Sequence, residues 1–251
     1  MVDIHSHVLP GVDDGAATLD DSIAMLTMAA EAGTTDIAAT SHSNTEFAWN
    51  APLIEERLAG VQKAMDGRIR VHYGCELHLT FDNVNDAIQN PTKYTIAHKN
   101  WLLIEFSDLI IFQNAGQILE KLRGAGMNLV IAHPERNQIL LHRPETVEKW
   151  VEDGAFLQLT AQSLLGTFGS ETRKFGERLI EKGMGHIVAS DAHDTNYRVP
   201  KLDEAHQWLA DKYGEDFAHL VTTDNPMATI TGGFIGPAFP PKRKKWFGLF
   251  G

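Results

Sequence analysis

The sequence predicts an α/β protein in which strand-like runs form repeated βα units around a parallel sheet, closed or nearly closed into a barrel. Three observations predict it. Short β-branched runs alternate with longer stretches of helical period. The length of 251 residues suits a single barrel domain. A glycine-rich nucleotide fingerprint, which would favour an open doubly wound sheet, is absent. The strand count alone leaves that open sheet as the alternative.

The first strand is read at Val2 to His5. Thr18 with Asp21 three positions on forms an acidic variant of a capping box, and Leu19, Ile23, Leu26 and Ala30 keep helical spacing until Gly33 stops the helix. Thr35 to Ser41 is the second strand, ahead of a helix from Pro52 to Met65. Ile69 to Gly74 is the third. Trp101 to Phe106 is the fourth, before a helix ending near Gly124, and Asn128 to Ala132 is the fifth. Pro144 opens a helix to Asp153, Ala155 to Leu159 makes the sixth strand, and a helix from Ser170 to Lys182 leads to the seventh, Ile187 to Ser190. Residues 1–231 read as one barrel domain. Residues 232–251 read as a flexible tail, with Gly and Pro first, then Lys242-Arg243-Lys244-Lys245 and Trp246-Phe247-Gly248-Leu249-Phe250.

Composition excludes several classes of function. Apolar residues at 43% and charged ones at 22% are ordinary for a soluble globular chain. A net charge of −11 repels phosphate polymers, so nucleic acid is not expected as a partner. A single cysteine rules out an internal disulfide, and the N-terminus lacks a secretory pattern, which points to the cytoplasm. No apolar run approaches the roughly 20 residues that span a bilayer.

The informative residues lie at the strand ends. His5 and His7, then Asp13 and Asp14, come after the first strand; His42 after the second; Glu76 after the third; Glu105 ends the fourth; His133 comes after the fifth; Asp191 and His193 come after the seventh. In a parallel barrel these ends share one face, so groups nearly two hundred positions apart converge. His-x-His and Asp-x-His at strand ends let alternate side chains point the same way, because the strand period is two. Imidazoles and carboxylates without thiolates suit Zn, Mn or Fe in a catalytic rather than a structural site. One histidine after a strand is ordinarily a hydrogen-bonded core or rim residue; recurrence at one end of the sheet is the signal. His72, His78, His98, His142, His186, His206 and His219 show no such placement and are assigned ordinary structural roles.

These residues carry a resemblance. Val2-Asp3-Ile4-His5-Ser6-His7, Gly11-Val12-Asp13-Asp14-Gly15, Ser41-His42, Gly74-Cys75-Glu76, Leu103-Ile104-Glu105-Phe106, Ile131-Ala132-His133-Pro134-Glu135-Arg136 and Ala189-Ser190-Asp191-Ala192-His193 resemble the polymerase and histidinol phosphatase (PHP) superfamily. Within it they are similar to the CpsB/YwqE-type bacterial protein tyrosine phosphatases, from residue 1 to about residue 230. The resemblance implies a distorted (β/α)7 barrel with three divalent ions, Mn2+ foremost with Zn2+ or Fe as alternatives. It implies action on the phosphotyrosine tail of an autophosphorylating bacterial kinase that controls capsule or exopolysaccharide synthesis.

Carried over by motif, His5, His7, Glu76 and Asp191 would hold the first ion. Glu105 and His133, with Glu76 bridging, would hold the second, and Asp14, His42 and His193 the third. In other branches of the superfamily a histidine often stands where Asp14 and Glu105 fall here, which favours the tyrosine phosphatase branch. Arg136 and Arg198 would clamp phosphate oxygens with forked guanidinium groups; pairing in a surface salt bridge is the competing reading. Asp14, Arg136 and Arg198 are the candidate catalytic residues.

The charge balance fits a phosphoester. Three divalent ions against the carboxylates of Asp14, Glu76, Glu105 and Asp191 leave about +2, facing a phosphate monoester dianion. Bridging ions would lower the pKa of a bound water and supply hydroxide for in-line attack, with no phosphoenzyme. A phenolate leaves with a pKa of about 10, so a tyrosyl ester needs little help from a general acid. Thiol-based tyrosine phosphatases need an arginine six positions after the cysteine; after Cys75 that position is Phe81. Cys75 reads instead as a small buried residue.

Phe47 and Trp49, in the loop after His42, could pack on a substrate ring or anchor the loop. The basic and aromatic tail suits peripheral contact with an anionic membrane surface, or a disordered solubilising end. Two other functions remain open at this point: a small-molecule phosphatase of the histidinol phosphatase kind, and a metal-containing regulatory module that binds the kinase without turnover.

Overall fold

The computed structural model describes residues 1–236 and 238–240. Seven strands, β1 (Val2–Ser6), β2 (Asp36–Ser43), β3 (Arg70–His78), β4 (Trp101–Glu105), β5 (Asn128–Ala132), β6 (Phe156–Thr160) and β7 (Ile187–Ala189), form one sheet in chain order, every pair parallel. The barrel nearly closes between β7 and β1, where Asp191 N–H donates to His5 O and His7 N–H to Ala192 O, each at 2.8 Å. The open-sheet alternative is thereby excluded. Closure also brings the residues after β7 against the end of β1.

The crossover helices are α1 (Leu19–Glu31), α2 (Ala51–Met65), α3 (Phe81–Gln89), α4 (Ala115–Gly124), α5 (Gln138–His142), α6 (Pro144–Glu152), α7 (Ala161–Leu165) and α8 (Ser170–Glu181). After β7 come α9 (Asp203–Tyr213), α10 (Glu215–His219) and α11 (Asn225–Thr231). Helix α1 starts at the expected capping box: the Thr18 hydroxyl accepts from Asp21 N–H, and the Asp21 carboxylate accepts from Thr18 N–H. This satisfies two amide donors that the first turn otherwise leaves open. The helix then buries Met25, Leu26 and Ala29.

Aliphatic side chains fill the barrel and the space between sheet and helices. Val2, Ile4, Ala38, Leu103, Val130, Ile187 and Ala189 pack with Trp101, Ile230 and Ile235. A layer including Leu102, Ile104, Leu129, Ile131, Leu157 and Leu159 meets the helices. The strand ends that carry the imidazoles and carboxylates thus stand on a close-packed base, which limits their play.

Two boundaries differ from the sequence reading. Strand β3 runs past Gly74 to His78, so Glu76 lies inside a strand rather than after it. A Cβ at Gly74 would sit 2.7 Å from Thr40 Cγ2. Glycine there permits close pairing of β2 and β3 instead of ending the strand. Beyond Thr231 the chain stays on the barrel: Ile235 and Ala238 are buried, and Trp101 Nε1 donates to Gly233 O at 3.0 Å. The basic cluster and the aromatics Trp246 to Phe250 lie outside the described residues. Among the described residues, no helix is long and apolar enough to cross a membrane.

Candidate metal centre

All nine expected ligand residues meet at the carboxyl ends of the strands. His5 Nε2 is 3.1 Å from Glu76 Oε1 and 3.2 Å from Asp191 Oδ1. His133 Nε2 is 3.1 Å from the same Glu76 oxygen, and His42 Nδ1 is 2.9 Å from Glu76 Oε2. Asp14 Oδ1 lies 3.3 Å from both His42 Nε2 and His193 Nε2. Glu105 Oε2 is 3.7 Å from His42 Nδ1. Glu76 sits at the middle, because β3 pairs it with His42 on one side and Leu103 on the other.

Four overlapping groups bring their ligand atoms within 4.8 Å of one another: His7, Asp14, His42 and His193; His5, His7 and Glu76; His5, His133 and Asp191; and His42, Glu76 and Glu105. The division differs in part from the expected one. Glu105 groups with His42 and Glu76 while its Oε1 lies 3.8 Å from His133 Nε2, Asp191 groups with His5 and His133, and His7 also joins Asp14, His42 and His193.

The donor set fits cations. Glu76 Oε2, Asp191 Oδ1, His42 Nδ1 and His193 Nε2 are buried without a properly angled hydrogen bond. Buried ligand-type atoms gathered this closely without hydrogen bonds are a donor set that a cation would satisfy. Burial pushes Glu76 and Asp191 toward the neutral acid, yet the imidazoles around them, His5 first, hold both well below the usual carboxylate range. Burial opposes charge on His42, but the Glu76 and Asp14 carboxylates raise it to about 10. Asp14, bonded to His193 and His42, is held below its ordinary value. Two fully buried carboxylates thus demand positive charge, from protons on imidazole or from ions that replace them.

Local backbone shape serves the same centre. His133 at φ 30° and Asp191 at φ 53° occupy the left-handed region that non-glycine residues avoid, at a cost of about 1–3 kcal/mol each. Both are the first or second residue past a strand, and these tight turns set where their side chains project. Gly15 permits a second close approach: a Cβ there would lie 2.0 Å from His7 O. The loop carrying Asp13 and Asp14 can therefore fold onto His7.

Arg136 and Arg198 both reach Asp191 Oδ2. Each is about a quarter exposed, at 24% and 22%, so neither is an ordinary surface salt bridge. The Arg136 guanidinium also lies 4.6 Å from the Phe168 ring centroid. Trp49 packs edge-on to Tyr73 and anchors its loop, whereas Phe47 stacks on His42. Cys75 is buried, and burial raises its thiol pKa, leaving it an inert core residue.

The sequence reading gave no place in the site to Gln158 or His78, and it named Asp13 after the first strand without a role. Asp13 Oδ2 is 2.9 Å from His7 Nδ1 and also accepts from His42 N–H. Gln158 Oε1 is 2.8 Å from His5 Nδ1. His78, assigned an ordinary structural role, is a rim residue with Nδ1 3.4 Å from Glu105 Oε2. The period of two from Glu76 points to His78, but only once β3 is known to continue. Gln158 had a signal too, as a polar residue within the apolar run of β6.

Fold and ligand set together define a barrel hydrolase of the metal-binding kind, with imidazoles and carboxylates gathered at the strand ends. The chain belongs to the capsular polysaccharide synthesis CpsB/CapC family, whose model matches residues 1–231. It is 34% identical to the tyrosine-protein phosphatase YwqE of Bacillus subtilis over all of both chains. It is 28% identical to the tyrosine-protein phosphatase CpsB of Streptococcus pneumoniae, over 94% of this chain and all of that one. Among solved structures it matches one from a study of YwqE and CpsB as metal-dependent tyrosine phosphatases, with a TM-score of 0.87 and 32% identity over 97% of this chain and all of the other. A lactonase from Listeria monocytogenes shares the fold alone, at TM-score 0.62 and 13% identity over 93% of this chain and 95% of that one.

Proposed function

We propose that this chain is a metal-dependent protein tyrosine phosphatase that acts in the cytoplasm on the phosphotyrosine tail of a bacterial tyrosine kinase controlling capsule or exopolysaccharide synthesis. The observation that carries it is the meeting of Arg136 and Arg198 on Asp191 Oδ2, at the edge of the converging imidazoles and carboxylates. A cation-binding cluster flanked by two guanidinium groups suits a phosphate monoester dianion.

Three divalent ions, Mn2+ foremost, would be held by His5, His7, Asp14, His42, Glu76, Glu105, His133, Asp191 and His193. When bound, such ions activate water as a nucleophile and neutralise charge on the phosphoryl oxygens. Arg136 and Arg198 bind and orient those oxygens, with their pairing to Asp191 holding them in place beforehand. Asp13 and Gln158 hold the rings of His7 and His5 with Nε2 facing the cluster. The phenolate is a good leaving group, so the chain needs no strong general acid. Relatives named as tyrosine-protein phosphatases support the substrate class.

The test uses metal-stripped protein with a phosphotyrosine peptide and with histidinol phosphate, adding manganese, zinc or iron in turn. Metal-dependent hydrolysis of the peptide, lost in His5→Ala and strongly reduced in Arg136→Ala, is expected. Activity that survives chelation overturns the mechanism. Faster turnover of histidinol phosphate overturns the substrate class, and peptide binding without turnover under every ion makes the protein a binding module.

A further inference from the structure

We infer that the apolar groove beside the metal centre receives apolar side chains flanking the phosphotyrosine of a peptide substrate. The inference rests on the phosphatase reading and adds the sequence preference of the same site. The groove is a cavity of about 430 Å³ with Leu79, Phe106 and Ile118 in its lining and Phe81, Ile110 and Phe112 at its exposed edges. It begins where the metal centre ends. His78 lines it while standing 3.4 Å from Glu105, and Phe106 comes directly after Glu105 in the chain.

Several apolar side chains here face solvent in a way that folding does not explain. Phe81 is 82% exposed, Ile110 55% and Phe112 52%, while Ile111 between the last two packs onto the core. Isolated exposed apolar residues are ordinary, but a contiguous group around a concavity marks a binding surface. A protein substrate extends on both sides of its phosphotyrosine, at about 3.3 Å per extended residue. Once the phosphate is at the ligand cluster, the residues one to three positions away must cross this rim. A concave apolar groove sharing His78 with the rim is suited to take them.

The lining also disfavours other occupants. Among the described residues its only ionisable side chains are Glu46 and His78, so it carries no lysine or arginine to meet an anionic bilayer. Glu46 repels acidic flanks, so the favoured peptide is apolar rather than acidic beside its phosphotyrosine.

The test compares the full chain with Phe81→Ser and Phe112→Ser, both at exposed positions, each checked for an unchanged thermal melt. Substrates are p-nitrophenyl phosphate and two phosphotyrosine peptides, one with leucine and isoleucine within three positions of the phosphotyrosine, the other with serine and glycine there. The unaltered chain is expected to favour the apolar-flanked peptide about tenfold in kcat/KM. Each variant is expected to lose most of that preference and keep p-nitrophenyl phosphate hydrolysis within about twofold. Equal rates on the two peptides, or a preference that survives both substitutions, overturn the inference. So does unchanged peptide selectivity with lost binding to phosphatidylcholine–phosphatidylglycerol vesicles, or with loss of a dimer in sedimentation velocity. Should p-nitrophenyl phosphate resist hydrolysis under every ion, the phosphatase reading fails by itself. Fluorescence anisotropy with the same peptides then decides the groove: tighter binding of the apolar-flanked peptide, lost in the variants, sustains it, and equal binding overturns it.

Discussion

Gln158 Oε1 stands 2.8 Å from His5 Nδ1, and both residues are fully buried. A neutral amide oxygen at that distance accepts the Nδ1 proton, which leaves the Nε2 lone pair of His5 facing Glu76 and Asp191. Gln158→Leu removes the acceptor while filling similar space. Metal affinity is then expected to fall by about 10- to 100-fold, measured by competition with a fluorescent chelator, and Gln158→Glu, which keeps an oxygen in place, should recover most of it. Unchanged affinity in the leucine variant would show that His5 needs no such orientation.

Gly15 is constrained by space. Any Cβ at that position meets His7 O at 2.0 Å and His7 Cβ at 2.5 Å, backbone and near-backbone atoms that cannot step aside. Gly15→Ala should therefore displace the loop that carries Asp13 and Asp14. The expected result is weaker metal binding with the melting temperature lowered by several degrees, on the order of 1–3 kcal/mol of strain. Wild-type affinity in this variant would contradict the close approach.

Arg136 tests whether fork geometry matters beyond charge. Arg136→Lys keeps a cation but loses the planar guanidinium that meets Asp191 and lies over Phe168. A drop of about 100-fold in kcat/KM for a phosphotyrosine peptide is expected, with metal stoichiometry by elemental analysis unchanged. Full activity in the lysine variant would reduce Arg136 to a point charge.

Ions that bind only the folded chain should stabilise it. At about a thousandfold excess over the dissociation constant the gain is about 4 kcal/mol, or roughly 10 °C for a chain of this size. The shift in a thermal melt on adding manganese should shrink strongly in His7→Ala, and equal shifts in both proteins would place the binding elsewhere.

His186 supplies a pH dependence remote from the metal centre. Its Nδ1 accepts the Leu157 N–H at 3.1 Å, and burial lowers its pKa to about 4, against about 6.5 in an unfolded chain. Between those values the unfolded chain binds the proton more readily. The stability from neutral His186 is thus fully present above about pH 6.5 and is lost as pH falls toward 4, on the order of 2 kcal/mol by pH 5. Urea midpoints at pH 7 and pH 5 should differ less in His186→Gln than in the unaltered chain; identical pH slopes would refute the assignment.

Much of this centre was legible because ligand chemistry leaves short signatures at strand ends. His5 with His7, and Asp191 with His193, are readable from spacing alone. Asp13 was readable as a carboxylate past the first strand but its pairing with His7 was not, and Gln158 and His78 were not readable. Gln158 acts through another side chain, so its type is not that of a ligand run, and His78 was hidden by reading Gly74 as the end of β3. Gly74 ends nothing, because a bare Cα lets Thr40 approach from the neighbouring strand.

By itself the order of residues determined the alternation of strands and helices, the capping of the first helix at Thr18, and which strands end in imidazole or carboxylate. These depend on neighbours a few positions away, where periodicity and local hydrogen bonding decide. Only the closed barrel decided that Glu76 lies between His5 and His42, that two arginines share one oxygen of Asp191, and that a glutamine orients His5. Each of those contacts joins segments brought together by the β1 to β7 closure and the parallel register, and pairings over such separations are set by packing in three dimensions.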